Sequence, residues 1–353
     1  MRNEKRCIKF PSIEQFRTVV ANINRHYNFV GLDEKGDAIY DPTLPKPKLK
    51  FKGGVKLHGT NSGASYNAID GLWAQSREHI ITPTSDNAGF AFFVETNKEV
   101  FMSLIKKVAE KEGIDLNNNN ITIYGEWVGK SIQKGVGIAN LDKSMFIFGV
   151  KISPFQVEEG ESPIAYWVEH NYLRSPKHKI YNIEDYEKFE IEIDFNMPQL
   201  IQNTIIEMTI AVENECPVSK AFGFPNTVGE GIVFSCDLNG IRYSFKSKGE
   251  LHAGKSKVKI LNRVDDDKIK KVVDIANKVT PTWRLAQMLE EACDFMNGGS
   301  LERSKLGDYI RLVINDVIKE EMDVLAEAGL EPKDVNKYIS EIARRYFFDQ
   351  ELI

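Results

Sequence analysis

The sequence predicts an α+β chain: antiparallel β-sheets with flanking helices over residues 1–260, then a small all-α C-terminal domain over 261–353. Three observations carry this expectation. Two turn signals, Asp70-Gly71 and Asn239-Gly240, each stand between short alternating apolar and polar runs, as in β-hairpins. After about residue 264 the apolar period becomes that of amphipathic helices and stays so. A length of 353 residues, at roughly 100–200 residues per domain, suits two domains better than one.

Taken in order, residues 13–24 place Ile13, Phe16, Val19, Val20 and Ile23 on one helical stripe, and Pro42, Pro45 and Pro47 mark an irregular approach to the next segment. Residues 50–78 read as antiparallel β around Asp70-Gly71. Helical period returns at 98–112 through Phe101, Leu104, Ile105 and Val108, and Gly113 stops it. ITIYGEWV at 121–128 and MFIFGVKI at 145–152 read as buried strands. The acidic stretch 155–228 gives no clear order. EGIVFSC and IRYSFKSK then flank Asn239-Gly240 as a second hairpin. The tail holds DDKIKKVVDIANKV, a break at Pro281, WRLAQMLEEACDFM, a Gly298-Gly299 break and two further amphipathic runs.

Composition narrows the function classes. With 46 Lys+Arg against 51 Asp+Glu the net charge is −5, so the whole molecule is not a basic nucleic-acid glove, and any polyanion site is local. One local candidate runs from Lys246 to Lys271, where nine basic residues face four acids; a solvated helix face and its lead-in loop is the plainer reading. Apolar runs are of strand length, and the start MRNEKRCIKF lacks the apolar segment of a signal peptide, so the expectation is a cytoplasmic chain without a transmembrane helix. Cys7, Cys216, Cys236 and Cys293 are scattered without paired spacing. They read as buried reduced thiols, not as a disulfide frame or a structural zinc site.

Several residue patterns could carry chemistry. GEWVGKS at 125–131 imitates a phosphate-binding P-loop but has three residues between its glycines where that loop needs four, so it is set aside. In VKLHGTN, strand alternation puts Lys56 and His58 on one face, with Val55 and Leu57 on the other. Repulsion between two cationic groups would raise the amine fraction of Lys56 and make it a nucleophile; an ordinary exposed strand lysine is the bland alternative. Lys246 and Lys248 likewise share a face opposite Phe245 and Ser247. Two such charges side by side cost energy unless an anion such as a triphosphate or an RNA phosphate lies between them, or open water does. Glu126, in a buried-looking strand, and Glu230, opening GIVF, are poor places for lone charges unless each meets a metal or a sugar hydroxyl, or sits at a strand end in water.

KLHGTN, SRE, YGEWVGKSIQKG, MFIFGVK, EGIVF and FKSK, in that order, resemble the nucleotidyltransferase motifs of covalent ATP-dependent ligases. More narrowly, KxHGTN with GEWxGxxIQK is similar to the bacteriophage and editing-type RNA ligases that seal nicks in duplex RNA. The resemblance runs from about Lys50 to Lys248, with gaps at 79–120 and 153–228. It implies a nucleotidyltransferase (adenylation) domain followed by the helical domain, and an enzyme that joins RNA 3′-OH and 5′-phosphate ends through lysyl-AMP and RNA-adenylate. ATP and Mg²⁺ or Mn²⁺ would be its cofactors. Roles follow: Lys56 the adenylated nucleophile, Arg77 a contact to ribose or the 5′-phosphate, and Glu126 a ribose or metal-water contact. Phe148 would stack on adenine, with Phe146 on the same face, Glu230 would contact metal, and Lys246 and Lys248 would contact ATP phosphates. His58 and Asn61 would serve the RNA steps, Asn61 also contacting the bound nucleotide, and Lys268, Lys270 and Lys271 would touch RNA. Val55 stands where family members often carry an acid. The implied partner is duplex, nicked or bridged RNA, bound by a monomer acting in RNA repair in the cytoplasm, a phage host's included. A DNA ligase or capping-type nucleotidyltransferase shares the chemistry, and a non-catalytic RNA-binding module shares the basic positions.

Overall fold

The computed structural model describes residues 6–41, 44–86, 88–154, 165–253, 263 and 265–351. Its strands are β1 (Phe29–Leu32), β2 (Ala38–Tyr40), β3 (Lys48–Lys56), β4 (Thr60–Asn67), β5 (Gly71–Ser76), β6 (Ile80–Ile81), β7 (Asn119–Val128), β8 (Ser144–Pro154), β9 (Tyr166–Val168), β10 (Ile180–Asn182), β11 (Lys188–Asp194), β12 (Gly231–Leu238) and β13 (Ile241–Lys248). The chain divides into two compact units. One takes Met1–Val19, Lys50–Ile191 and Thr204–Leu261, the other Val20–Leu49, Glu192–Asn203 and Asn262–Ile353. The division expected at 260/261, and Lys255, Lys257 and Lys259 of the basic segment, lie outside the described residues. Residues 20–49 and 192–203, which the sequence reading left with the first domain, group with the helical unit.

The first unit is built on two sheets. A seven-stranded sheet runs β10-β8-β7-β4-β5-β6 with β9 also on β8, and a four-stranded sheet runs β11-β3-β12-β13. The helix Lys98–Glu112 forms where expected, because Phe101, Leu104, Ile105 and Val108 fall on one stripe. All four are at most 2% exposed, packed with Ile121, Ile123 and Ile147 of the larger sheet, a burial of about 1.5–3 kcal/mol for each large side chain. Gly113 closes the helix at φ 65°, where a side chain would strain. Asn239 and Gly240 both take positive φ, 50° and 78°, as a two-residue hairpin turn demands. The other hairpin forms differently: Asn67 pairs with Gly71, and the Asn67 side chain accepts from the N–H groups of Ile69 and Asp70, so the turn is longer than Asp70-Gly71 alone. β4 runs antiparallel to β5 and β7, β8 to β7 and β9, and β12 to β3 and β13, whereas β10 lies parallel to β8. In the smaller sheet Phe51, Phe234 and Phe245 are fully buried, and Phe234 stacks on Phe245 with ring centroids 5.1 Å apart.

The second unit is mainly helical: Asp266–Val279, Thr282–Cys293, Leu306–Glu320, Met322–Glu327 and Pro332–Glu351 enclose a core containing Val272, Leu289, Tyr309, Val313, Ile339 and Phe347. Buried Arg284 is held there by Asp316 and Glu321, both at 2.8 Å. Among the described residues no helix is long and apolar enough to cross a membrane. Cys216 and Cys293 are buried, whereas Cys7 and Cys236 are only half-buried.

Candidate active site

The site grows out of β3 and the hairpin β12–β13. Period-two alternation sends Val55 and Leu57 inward and leaves Lys56 and His58 half-buried on the opposite face. On β13 the same rule buries Phe245 and Ser247 and turns Lys246 and Lys248 outward. Because Gly231 pairs with Lys56 on one side and with Lys248 on the other, the residue before it, Glu230, falls between the two lysines. Glu230 is 2% exposed; its Oε2 accepts from Lys56 Nζ at 2.7 Å, its Oε1 meets Lys248 Nζ at 2.7 Å, and His58 Nδ1 lies 3.2 Å from Oε2. Burial alone would raise this carboxyl. The hydrogen bonds from His58, Lys248 and Lys56 and the Lys56 charge outweigh it and hold Glu230 well below the usual carboxylate range.

This arrangement changes the account of Lys56. Like-charge repulsion from His58 was the expected activating effect, but a carboxylate stands between the two side chains and binds both. The ground state is therefore an ion pair. Lys246 differs from Lys248: its Nζ donates to the Ile13 carbonyl at 2.8 Å, and burial, then the charges of Lys248, Lys56 and Arg77, lower its pKa. Lys248 thus meets a carboxylate and Lys246 a backbone carbonyl.

Glu126 of β7 accepts from the Gly59 N–H at 3.0 Å, fixing the bend after His58. Gly59 is required there, since a Cβ would stand 2.4 Å from the Trp127 carbonyl oxygen. Burial pushes the Glu126 carboxyl up to about 7, against the Lys56 charge and the Gly59 N–H, which pull it down. An acid whose folded pKa is raised in this way destabilises the fold as pH rises from the ordinary 4.5 through 7. Melting temperatures of Glu126→Gln and the parent are thus expected to diverge in the variant's favour between pH 5 and pH 8; a constant difference would show that Glu126 titrates normally.

A cavity of about 470 Å³ opens beside this cluster, lined among others by Lys56, Asn61, Glu126, Phe146 and Phe148. Asn61 pairs with Glu126 in the ladder, and Phe146 with Glu126 from the other side. Phe146 is fully buried and stacks on Tyr181 at 5.1 Å, whereas Phe148 is half-buried and held edge-on by Phe10 at 5.0 Å. Arg77 stands apart, exposed at the end of β5 with Nη2 3.2 Å from Ser12 Oγ, although its charge is felt at Lys246. Lys268, Lys270 and Lys271 are exposed on the helix Asp266–Val279 of the other unit, and Lys268 pairs with Asp334 at 3.0 Å.

Sequence reasoning missed Glu213, Thr209 and His252, which lie around the same hairpin end. Glu213 and Thr209 come from the unordered stretch and carry no motif. His252 follows FKSK by four residues, and its ring centre stands 5.7 Å from that of His58.

A family model described as RNA ligase matches residues 52–248. No curated protein sequence matches the chain. Among solved structures, a Naegleria gruberi RNA ligase mutant with AMP and Mn is 16% identical over 71% of this chain and 59% of that one, with a TM-score of 0.41. The same organism's RNA ligase with PPi is 15% identical over 71% and 59%, TM-score 0.40, and an apo mutant of it 16% over 71% and 59%, TM-score 0.42. This chain spans about three-fifths of the length of those structures. The family match takes in more than half of the chain, including Lys56, Glu126, Glu230 and Lys248, and on that match the chain belongs to the RNA ligase family.

Proposed function

We propose that the chain is an ATP-dependent RNA ligase that joins a 3′-OH to a 5′-phosphate at nicks in duplex or bridged RNA, acting as a monomer through AMP carried on Lys56. One observation supports it above the rest: a single buried carboxylate, Glu230, bound by Lys56, Lys248 and His58 beside a cavity of mononucleotide size. The Lys56 amine, its proton passed to solvent water, attacks the α-phosphorus of ATP; an N–P bond forms, the bond from the α-phosphorus to the oxygen bridging to the β-phosphate breaks, and pyrophosphate leaves. Lys246 and Lys248 face the phosphates as preorganised charge. Phe148 takes the adenine ring and Glu126 and Asn61 the ribose side. AMP then passes to the RNA 5′-phosphate, and attack by the 3′-OH releases it, so catalysis is largely positioning.

A divalent ion fits this donor set in one manner. Glu230, bound to Lys56, and Glu126, whose carboxyl feels the Lys56 charge, are carboxylates beside the proposed nucleophile, and no group of three or more His, Cys, Asp or Glu that could hold a metal occurs among the described residues. Mg²⁺ typically binds through one or two carboxylates plus phosphate oxygens and water, which suits such a site. When bound it would neutralise charge on the leaving pyrophosphate.

The decisive experiment is incubation with α-labelled ATP or GTP and Mg²⁺ without RNA, reading label on the protein. Label from ATP alone supports the proposal; transfer from GTP alone would replace it with a capping-type reaction. RNA grip is a separate expectation. If Lys268, Lys270 and Lys271 touch phosphates, affinity for nicked RNA falls steeply with salt, and replacing all three with alanine flattens the slope of log K against log salt by about 2–3. An unchanged slope would leave that helix face to solvent. The full-length protein is the right vehicle, because deleting the tail would strip residues 20–49 and 192–203 of the unit they belong to.

A further inference from the structure

One buried carboxylate has no part in the chemistry above. Glu213, at the end of the helix Gln202–Asn214, is 8% exposed. A buried carboxylate is costly unless its oxygens are satisfied. Here they are met by backbone: Oε2 accepts from the Glu250 N–H at 3.1 Å and Oε1 from the Leu251 N–H at 2.8 Å, with His252 Nδ1 3.9 Å from Oε1.

The location gives this its meaning. The β12–β13 ladder ends at the pair Gly231–Lys248, so Glu230 and Gly249 lie just past the last rung, where a hairpin would fray. Three ties close that end. The Gly249 N–H donates to the Glu230 carbonyl at 3.3 Å, the Gly229 N–H donates to the Glu213 carbonyl at 3.3 Å, and the Glu213 carboxylate takes the two N–H groups that follow Gly249. Glu213 thus holds the chain on both sides, one residue before Glu230 and two residues after Lys248. A Cβ on Gly249 would sit 2.1 Å from the Glu213 carboxylate, so glycine alone lets the backbone pass this close. One turn earlier on the same helix, Thr209 Oγ1 shares a hydrogen bond of 2.7 Å with Ser247 Oγ, on the residue before Lys248.

We infer that Glu213 is a positioning residue for nucleotidyl transfer: it pins the open end of the hairpin and so places Lys248 against Glu230. The inference rests on the ligase reading above. Misplacement by about 1 Å of a group that must face a reacting phosphate can cost on the order of 100-fold in rate.

The test is a double-mutant cycle in the full-length protein, following single-turnover labelling by α-labelled ATP in the parent, Glu213→Ala, Glu213→Gln, Lys248→Ala and Glu213→Ala/Lys248→Ala. Glu213→Ala is expected to be slower by about tenfold or more. Glu213→Gln is expected to fall between, since its amide keeps one accepting oxygen and turns an NH₂ toward the other N–H. If Glu213 acts through Lys248, adding Glu213→Ala to Lys248→Ala slows labelling by no more than about threefold, because the residue being positioned is already gone. Parent-like labelling by Glu213→Ala would overturn the inference. So would rate losses that multiply in the double variant, which a merely structural role produces. Should Glu213→Ala not fold by circular dichroism, the same cycle with Glu213→Gln decides. A parent that takes no label removes the ligase reading and this inference with it, whereas a labelled parent with an unaffected Glu213→Ala removes only the inference.

Discussion

A Lys56→Ala variant is expected to take no covalent label from α-labelled ATP, while the parent takes one AMP per chain by intact mass. The loss is total because, among the described residues, no other amine stands in the same place. Lys246 is tied to the Ile13 carbonyl, and Lys248 approaches Glu230 through the opposite oxygen. Lys56→Arg is expected to fail as well, since a guanidinium stays charged and has no free pair for the α-phosphorus. Both variants keep Val55 and Leu57 packed inward, but Lys56→Ala leaves the buried Glu230 with one cation fewer, so its melting temperature is expected to fall, whereas Lys56→Arg keeps the charge and should melt nearer the parent. Mass addition on a different lysine, or labelling of Lys56→Ala at the parent's rate, would refute the assignment of the nucleophile.

The shared faces of the candidate site are legible because a strand writes its faces into its sequence. Lys56 with His58, and Lys246 with Lys248, needed only alternation to be put on shared faces, and the two hairpins needed only their turn residues. What alternation cannot give is the partner from another strand. Glu230 lies 174 residues from Lys56, and only the pairing of Gly231 with both Lys56 and Lys248 brings it between them. Alternation therefore shows the two cations, Lys56 and His58, and hides the Glu230 carboxylate that joins them. Glu213 is further from view, since it acts by accepting backbone N–H groups, which leave no mark on the sequence around Gly249. Some structure in the unordered stretch was readable after all. KFEIEID alternates, and Phe189, Ile191 and Ile193 of β11 are all buried, but acids between them concealed the strand in an acidic context. The three-residue β10, parallel to β8, is too short to carry a period. The grouping of residues 20–49 and 192–203 with the helical unit rests on long-range contacts of which composition says nothing.

Replacing Glu230 with glutamine is expected to lower the labelling rate by at least about 100-fold and to destabilise the protein, with the two effects separable by pH. Gln keeps the shape and removes the charge that neutralises Lys56 and Lys248, each 18% exposed. Leaving one side of a buried ion pair without its partner costs about 3–5 kcal/mol. The rate falls for a second reason, since Lys56 and Lys248 then repel each other at the place where one must meet phosphorus and the other the leaving group. The sign of the pH dependence follows from the direction of the shift. Glu230 is held below its ordinary pKa of 4.5, so its contribution to stability is fully present above that value and fades as pH falls through the lower, folded value. The melting-temperature gap between parent and Glu230→Gln is therefore expected to be wide at pH 7 and to narrow in acid below about pH 4. A gap that persists unchanged in acid would mean that glutamine harms packing and not charge. Labelling at the parent's rate would show that the carboxylate joining Lys56, Lys248 and His58 is dispensable to the transfer, and with it the observation on which the proposed function chiefly rests.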